Sequence, residues 1–416
     1  MTLRTRHIME QIKRGNVPEG YKKTKAGIFP AGWDVYMLGD CLSRVERPVE
    51  VKPNELYTQI GIRSHGRGLF YKEPVTGAAL GNKAVFWIEP DCFIVNIVFA
   101  WEQAIGKTTQ SEVGMIGSHR FPMYRPVNDR VDIDYLISYF LTKRGTDILE
   151  AASPGGAGRN KTLGQDRFLK SKITLPPIEE QRKIAAILTT QDRVIELKGK
   201  RLAEKQRQKK YLMQQLLTGK KRLPGFYGAW SFPKAKELFQ SVSDKDHNGD
   251  LAVLSSTQDR GIVPRDEVDI DIKYDACSLV NYKKVSKGNF VISLRSFQGG
   301  IEYSTYTGLV SPAYTVLSSR KEISDGYYKQ FFKSTDYINR LNVAVYGIRD
   351  GKQISYEDFG RLRIPYPPIK EQTAIAEVLS TADREIELLQ QDIEQEKQKK
   401  KALMQLLLTG IVRVKT

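Results

Sequence analysis

The chain contains one long segment twice. Residues 175–219 and 366–410 align without a gap, 191 positions apart, and about half of the aligned residues are identical. Internal repeats of this length usually stack into solenoids, but a stable solenoid requires at least three copies. Two copies predict instead a molecule with two pseudo-equivalent halves, each ending in the repeated segment.

Each copy is predicted to form one long helix. It opens with a double proline, Pro176-Pro177 or Pro367-Pro368, which sets φ where a helix start has amide donors to spare. It closes at Gly219 or Gly410, a residue type that commonly ends helices. Such a helix of about 40 residues is roughly 60 Å long, which is too long and too charged for the core of one globular domain.

Apolar residues recur every seven positions in both copies, interrupted once by Lys209 and once by Lys400, and this is the spacing of a coiled-coil seam. The predicted seam residues are Leu188, Ile195, Leu202, Leu216, Leu379, Ile386, Ile393 and Leu407. Because the two copies share this register, we expect them to pack on each other as an antiparallel coiled coil. Two separate surface helices are the alternative. The basic run 198–210 could follow DNA beneath the coiled coil or be the solvated face of the first helix, and we favour the solvated face.

The segments before the two helices have a different pattern. They are rich in Gly, aromatic and β-branched residues in short runs, which is typical of strands, and the clearest runs are 85–88, 93–98, 290–294 and 314–317. Residues 134–141 and 325–332 are predicted to be short helices. At the repeat's own offset, Asp166, Phe168 and Ile173 pair with Glu357, Phe359 and Ile364.

The predicted fold class is therefore α+β. Two globular mixed α/β domains are separated by the two long repeated helices, in a pseudo-twofold arrangement. The predicted boundaries are residues 1–174 for the first domain with its N-terminal arm and 175–219 for the first helix. The second domain spans residues 220–365, and the second helix with its tail spans 366–416.

Composition points to a polyanionic partner. Lys and Arg total 65 against 48 Asp and Glu, a formal net charge of +17, which favours nucleic acid first and an anionic membrane surface second. The three cysteines, Cys41, Cys92 and Cys277, are far apart and form neither a disulfide framework nor a zinc motif. No signal peptide and no membrane-length apolar run is visible. We expect a cytoplasmic protein.

No catalytic or metal-ligating set emerges from the sequence. Gly106-Lys107-Thr108-Thr109 imitates the end of a phosphate-binding loop, but Trp101 stands where that loop needs its first glycine. Each double proline lacks the preceding Asp or Asn of amino-methyltransferases, because Leu175 and Tyr366 stand there. The acidic residues near Pro264-Arg265-Asp266 are too crowded for a metal-dependent nuclease and predict a charged loop.

Glycine-punctuated loops with basic and amide side chains are the candidate DNA contacts. Glycine lets backbone approach a phosphate, arginine suits guanine or phosphate, and Asn and Gln suit adenine. In the first domain the candidates are Arg63, Ser64, His65, Arg67, Arg120, Arg159, Asn160 and Lys161. In the second domain they are Arg295, Ser296, Gln298, Arg349, Lys352 and Gln353.

Over essentially its whole length the chain resembles the specificity subunits of type I restriction–modification systems. The resemblance rests on the Pro-Pro-Ile-x-Glu-Gln openings at Pro176 and Pro367 and on the Leu-Met-Gln…Leu-Leu-Thr-Gly closings. The segments Gly27–Trp33 and Leu223–Phe226, which precede the two domains, are also similar to the family.

The resemblance implies a non-catalytic DNA-recognition subunit. It implies two target-recognition domains, each specific for one half of a bipartite, asymmetric site, and a coiled coil that sets the distance between the half-sites. It also implies partners: double-stranded DNA, two modification (methyltransferase) subunits and, for cleavage, two ATP-dependent restriction subunits. S-adenosylmethionine, Mg and ATP belong to those subunits, and no cofactor is expected in this chain.

Two alternatives remain open at this stage. A self-sufficient DNA methyltransferase or nuclease with its own recognition domains would need a cofactor loop or a spaced carboxylate–lysine motif. A coiled-coil scaffold that binds no DNA would leave the divergence of the two domains unexplained. The target bases, the spacer length and the assignment of domains to half-sites do not follow from the sequence.

Overall fold

The structure is a computed structural model that describes residues 3–24, 27–155, 161–268, 276–294, 296, 300–344 and 354–414. The chain divides into two compact units. The first unit contains residues 1–197 together with 393–416, and the second contains residues 198–392. The first unit is therefore built from the two ends of the chain, and the second from one continuous stretch.

The first unit opens with helices α1 (Leu3–Lys13), α2 (Gly77–Leu80), α3 (Ile133–Phe140), α4 (Lys143–Ala151) and α5 (Gln165–Lys170), and the long helix α6 (Ile178–Leu216) starts in it. Its strands are β1 (Tyr21–Thr24), β2 (Gly27–Pro30), β3 (Asp34–Met37), β4 (Leu42–Val45), β5 (Leu56–Tyr57), β6 (Ile60–Ile62), β7 (Leu69–Tyr71), β8 (Val75–Thr76), β9 (Val85–Trp87), β10 (Phe93–Val95), β11 (Ile105–Lys107), β12 (Ile116–Ser118), β13 (Met123–Pro126) and β14 (Lys172–Leu175). Short 3₁₀ turns span Leu38–Asp40, Ala100–Glu102 and Gln110–Glu112.

The second unit contains the end of α6 and helices α7 (Ala235–Leu238), α8 (Asp325–Phe331), α9 (Thr335–Ala344) and α10 (Tyr356–Arg361), and the long helix α11 (Ile369–Leu407) starts in it. Its strands are β15 (Phe239–Val242), β16 (Leu254–Thr257), β17 (Gly261–Pro264), β18 (Lys283–Val285), β19 (Phe290–Ile292), β20 (Glu302–Tyr303), β21 (Gly308–Val310) and β22 (Thr315–Ser319). The 3₁₀ turns are Arg265–Glu267 and Ala276–Asn281.

Both units are organised around the same antiparallel sheet. The strand order is β11-β10-β13-β4 in the first unit and β20-β19-β22-β15 in the second. When the four strands of each sheet are numbered along the chain, both sheets have the order third, second, fourth, first. Smaller two-stranded ladders surround each sheet. The α+β class is confirmed, and the common strand order shows that the divergent segments share one scaffold.

Aromatic side chains fill the core of each unit in matching places. Phe93 of β10 stacks on Phe168 of α5, with ring centroids 6.0 Å apart. In the second unit Phe239 contacts both Phe290 of β19 and Phe359 of α10, at 5.7 Å and 6.0 Å. Phe168 and Phe359, which the repeat offset pairs, are both fully buried.

The two long helices pair antiparallel in each unit. In the first unit Gln191 donates to the Glu396 carboxylate at 2.6 Å, while Lys400 lies 2.5 Å from Asp192. In the second unit Lys198 lies 2.8 Å from Asp392, and Lys205 and Lys209 pair with Glu385 and Asp383. Residue numbers therefore rise along α6 while those of the α11 partners fall, as they must in an antiparallel pair. This is the antiparallel coiled coil expected from the heptad spacing.

The predicted seam residues differ in burial along the helices. Leu188, Leu216, Leu379 and Leu407 are buried, and they pack into the cores of their units. The middle ones, Ile195, Leu202, Ile386 and Ile393, are half-buried. The interpretation of residues 198–210 as a solvated face is correct only in part. Lys198, Lys205 and Lys209 pair with carboxylates of α11, whereas Lys200, Arg207 and Lys210 are exposed.

Both helix boundaries follow the predicted punctuation. Each helix begins directly after its double proline, and the residues Gly219 and Gly410 just beyond the ends have φ of +70° and +72°. Only glycine adopts this conformation readily. No helix in the described part of the chain is long and apolar enough to cross a membrane.

Two predicted strands are shorter than expected. The run 93–98 ends as a strand at Val95, because the Asn96 side chain accepts the Val98 amide at 3.1 Å and starts a turn. The run 290–294 ends at Ile292, where the Ser296 hydroxyl accepts the Ser293 amide at 2.9 Å. In both places a local side-chain bond holds a turn directly after the strand.

Candidate nucleic-acid interface

The loop between β6 and β7 is held in a fixed conformation. His65, Gly66 and Gly68 all have positive φ, and the Arg63 amide donates to the Gly68 carbonyl at 3.0 Å. A Cβ on Gly66 would lie 2.4 Å from the Leu141 side chain, so the available space and the positive φ both favour glycine at this position. The tip of the loop is thereby a preorganised surface feature.

This loop is bonded to residues 96–104, which we call the hub turn. The amide of His65 donates to the Glu102 carbonyl at 2.7 Å, and the Ser64 hydroxyl donates to the Glu102 carboxylate at 2.9 Å. Gly66 donates to the Gln103 carbonyl at 2.9 Å. Ser64 and His65 therefore have positions that are set by the hub turn.

Two further loops meet the same turn. Ile97 donates its amide to the Arg120 carbonyl at 3.0 Å. The Lys161 ammonium lies 5.4 Å from the centroid of the Trp101 ring, a cation–π contact. The structure thus brings Ser64, His65, Arg120 and Lys161 together around one turn. Arg159 and Asn160 lie outside the described residues.

The two arginines of the first loop differ in what their side chains do. Arg63 donates to the Leu69 carbonyl at 2.5 Å and lies 5.0 Å from the Phe70 ring centroid, so its guanidinium supports its own hairpin. Arg67 is exposed at the loop tip. Of the two, Arg67 is the better placed to meet a phosphate or a base.

Sequence reasoning missed the hub turn itself. In the sequence, Trp101 served only to exclude a phosphate-binding loop, and Phe99 and Gln103 were not predicted to contact DNA. In the structure Phe99 is 37% exposed beside half-buried Trp101. Aromatic faces interleaved with basic groups are typical of contacts to unpaired nucleic-acid bases. The sequence signal that could have indicated this surface is the pair of aromatic residues Phe99 and Trp101.

A cavity of about 630 Å³ adjoins the hub turn within the first unit. Its wall combines apolar side chains, such as Met404, with polar and basic ones, which include His65, Gln103, Lys143, Arg144, Lys397 and Lys401. Lys143 is paired with Asp147 and Lys397 with Glu394, so part of this charge is neutralised. Basic side chains beside the hub turn are therefore followed by lysines near the end of α11.

In the second unit one candidate has a different role. Ser296 is buried, its hydroxyl accepts the Ser293 amide, and its carbonyl accepts the Gly300 amide at 2.9 Å. The predicted DNA contact by Ser296 is therefore not supported, because its hydroxyl holds the turn together. The other candidates of this unit, Arg295, Gln298, Arg349, Lys352 and Gln353, lie outside the described residues.

Ser293 borders a recess of about 470 Å³. The recess is lined in part by Thr257, Gln258, Arg265 and Tyr314. Arg265 is oriented by a bond from its Nε to the Ser255 hydroxyl at 3.2 Å. Sequence reasoning treated Arg265 only as part of a charged loop and did not select Gln258 or Tyr314. Glutamine and arginine are suited to adenine and guanine edges.

Within the described part of the chain, no group of three or more His, Cys, Asp or Glu residues could hold a metal ion. Lys107, in the segment that imitates a phosphate-binding loop, is 2.7 Å from Asp134 and is thus occupied. Burial raises the pKa of the Cys41 thiol to about 11, which keeps it protonated and unreactive at neutral pH.

Comparison with known proteins identifies relatives over nearly the whole chain. A family model described as the type I restriction modification DNA specificity domain matches residues 88–207 and 229–398. The putative type I restriction enzyme MjaX specificity subunit of Methanocaldococcus jannaschii is 26% identical over 430 residues, covering 96% of this chain and 98% of that protein.

Solved structures show the same fold at low sequence identity. The HsdS subunit from Thermoanaerobacter tengcongensis has a TM-score of 0.51 at 18% identity, covering 92% of this chain and 98% of that one. A chain from work on complex assembly and conformational transition of the type I R-M system has a TM-score of 0.58 at 19% identity, with coverage of 92% and 99%.

Proposed function

This chain belongs to the type I restriction–modification DNA specificity family, and we propose that it recognises a bipartite, asymmetric DNA target with one domain per half-site. As a specificity subunit it is the non-catalytic, DNA-recognising part of its system. The DNA-recognition surface of the first domain is centred on the hub turn, and that of the second domain on the recess beside Ser293. An excess of basic residues supplies the attraction to DNA phosphates.

One observation carries the proposal. The two units have the same sheet order, yet the loops placed on that sheet differ in sequence and in shape. Recognition residues are commonly carried on variable loops above a constant scaffold. An asymmetric target with two unlike halves requires two different recognition surfaces, and here both are carried on the same scaffold.

The partners follow from the proposed role. Two modification subunits would methylate adenine with S-adenosylmethionine, and restriction subunits that use ATP and Mg would cleave unmodified DNA. The complex would act in the cytoplasm, where chromosomal DNA is available. A self-sufficient methyltransferase or nuclease is not favoured, because neither the described residues nor the sequence contains the necessary constellation.

Methylation sequencing tests the proposal. The chain and its modification subunits are expressed in a host without adenine methylation, and a parallel culture lacks only this chain. We expect one interrupted, non-palindromic adenine-methylation motif that appears only in the complete culture. A palindromic or uninterrupted motif, or the same motif in both cultures, contradicts the proposal.

A further inference from the structure

The seam of the coiled coil does not by itself select a unique register. Apolar residues recur at seven-residue spacing in both helices, and the contacts in the middle are ion pairs between long side chains, such as Lys198–Asp392 and Lys205–Glu385. A slip by one heptad returns most apolar seam residues to apolar positions and offers each lysine other carboxylates. The register is therefore held by contacts that do not repeat every seven residues, such as the buried Gln191 that donates to Glu396, and by contacts at the helix ends.

The first unit contains such a device at the start of α6. The Glu180 carboxylate is completely buried and accepts two bonds from Arg413, from Nε at 2.6 Å and from the terminal nitrogen at 2.7 Å. The indole of Trp33 also donates to it, at 3.3 Å. We call this set the first clamp. It joins the start of α6 to the chain just beyond the end of α11.

The second unit repeats the device at the start of α11. Glu371 is completely buried and accepts bonds from Arg222 at 2.5 and 2.6 Å and from the Trp230 indole at 2.9 Å. Both carboxylates and both arginines are separated by the repeat offset of 191. This second clamp joins the start of α11 to the chain just beyond the end of α6.

The neighbouring glutamines attach each helix start to its own domain. Gln181 accepts the amide of Asp132, the capping residue of α3, at 3.0 Å, and Gln372 accepts the amide of Ser324 at the start of α8 at 2.9 Å. Each glutamine side chain also donates to the backbone carbonyl of the first proline in its own double proline, at 2.8 Å. The Glu-Gln pair of each repeat thus connects helix, opposite helix end and domain.

We infer that the two clamps are positioning elements that hold the coiled coil in a single register and thereby fix the number of base pairs tolerated between the half-sites. The inference rests on the proposed function for the link between register and DNA spacing. Glu180, Arg413, Glu371 and Arg222 act through the helices and touch no DNA in this scheme.

The physical basis is the asymmetry between apolar and charged partners. One leucine in a seam can replace another at small cost, whereas a buried carboxylate that loses its arginine is left uncompensated. A slip by one heptad moves a helix by about 10 Å. At 3.4 Å per base pair this corresponds to about three base pairs of DNA, so an unclamped pair would accept altered spacers.

The test uses the complete complex and the methylome of the expression host, which contains the half-sites at many spacings. The variants Glu180→Gln and Glu371→Gln keep shape but remove the charge that binds arginine. We expect methylation at non-native spacings to rise about tenfold relative to the native spacing, while both half-site sequences stay unchanged. Glu204→Gln, which alters an exposed i,i+3 pair with Arg207, is the control and should leave the spacing unchanged.

A purely structural role predicts a different result. If the clamps only stabilise the fold, methylation falls equally at all spacings, and this outcome overturns the inference. If Glu180→Gln fails to fold, Arg413→Gln changes the more exposed partner of the same clamp and is judged by the same ratio. If the unaltered chain produces no interrupted motif, the proposed function fails first, independently of the clamps.

Discussion

At the scale of single residues, the interface depends on which side chains are left for DNA after the fold has used the others. Arg63 and Arg67 are separated by three residues in one loop and are both exposed, yet the Arg63 guanidinium is bonded to its own hairpin. Ser296 looks like a polar contact in the sequence and holds a buried turn in the structure. Residue type alone does not make this distinction.

The two arginines give a matched pair of variants. We expect Arg67→Ala to reduce the slope of log affinity against log salt by about one, because one phosphate contact is lost. Arg63→Ala should lower the thermal unfolding midpoint and leave the salt slope nearly unchanged. Fluorescence anisotropy of the complex on target DNA, measured across a salt series, checks both. An equal change of slope in the two variants would count against the assignment.

The two loop glycines form a second pair. Gly66 and Gly68 both have positive φ, so alanine at either position is strained by about 1–2 kcal/mol. Only at Gly66 would the new Cβ also meet the Leu141 side chain, at 2.4 Å, whereas nothing lies within 4 Å of the Cβ at Gly68. Gly66→Ala should therefore destabilise more than Gly68→Ala, as measured by chemical denaturation.

At the scale of elements, local patterns were the most reliable guide. Proline, glycine and heptad spacing placed both long helices correctly, because each of these signals acts within a few residues along the chain. The strand ends at Val95 and Ile292 were misplaced, because side chains of Asn96 and Ser296 capture neighbouring amides. The periodicity of apolar residues contains no information on such bonds.

The burial pattern of α11 leads to a prediction at this scale. Leu379 is fully buried in the core of the second unit, and Leu388 of the same helix is 55% exposed. Leu379→Ala should cost about 2–5 kcal/mol of unfolding free energy, and Leu388→Ala should change it by no more than about 0.5 kcal/mol. Urea denaturation followed by circular dichroism measures both, and similar values would contradict the packing described here.

At the scale of the whole molecule, the first unit is discontinuous in sequence. Its core combines Ile184 and Leu188 of α6 with Leu407 and Leu408 from the other end of the chain. The second unit contains its own core within residues 198–392. The two units therefore differ in what a fragment of the chain can reproduce.

Fragments test this difference. Residues 198–392 alone should retain protease resistance, since their core is complete. Residues 1–197 alone should be readily digested, because the apolar surface that Leu407 and Leu408 cover is exposed, and adding residues 393–416 as a separate peptide should restore resistance. Limited proteolysis with mass spectrometry distinguishes these cases, and a stable 1–197 fragment without the peptide contradicts the prediction.

The sequence by itself determined the repeat, the two helices with their boundaries, the mixed α/β character of the two domains and the family resemblance, because all of these depend on residue identity and spacing along the chain. Only the tertiary structure decided that the hub turn collects contacts from three separate loops, that Ser296 is occupied, and that Glu180 and Glu371 are buried under arginines from beyond the opposite helix end. These facts depend on contacts between residues that are distant in the chain, and such contacts follow from packing rather than from local pattern.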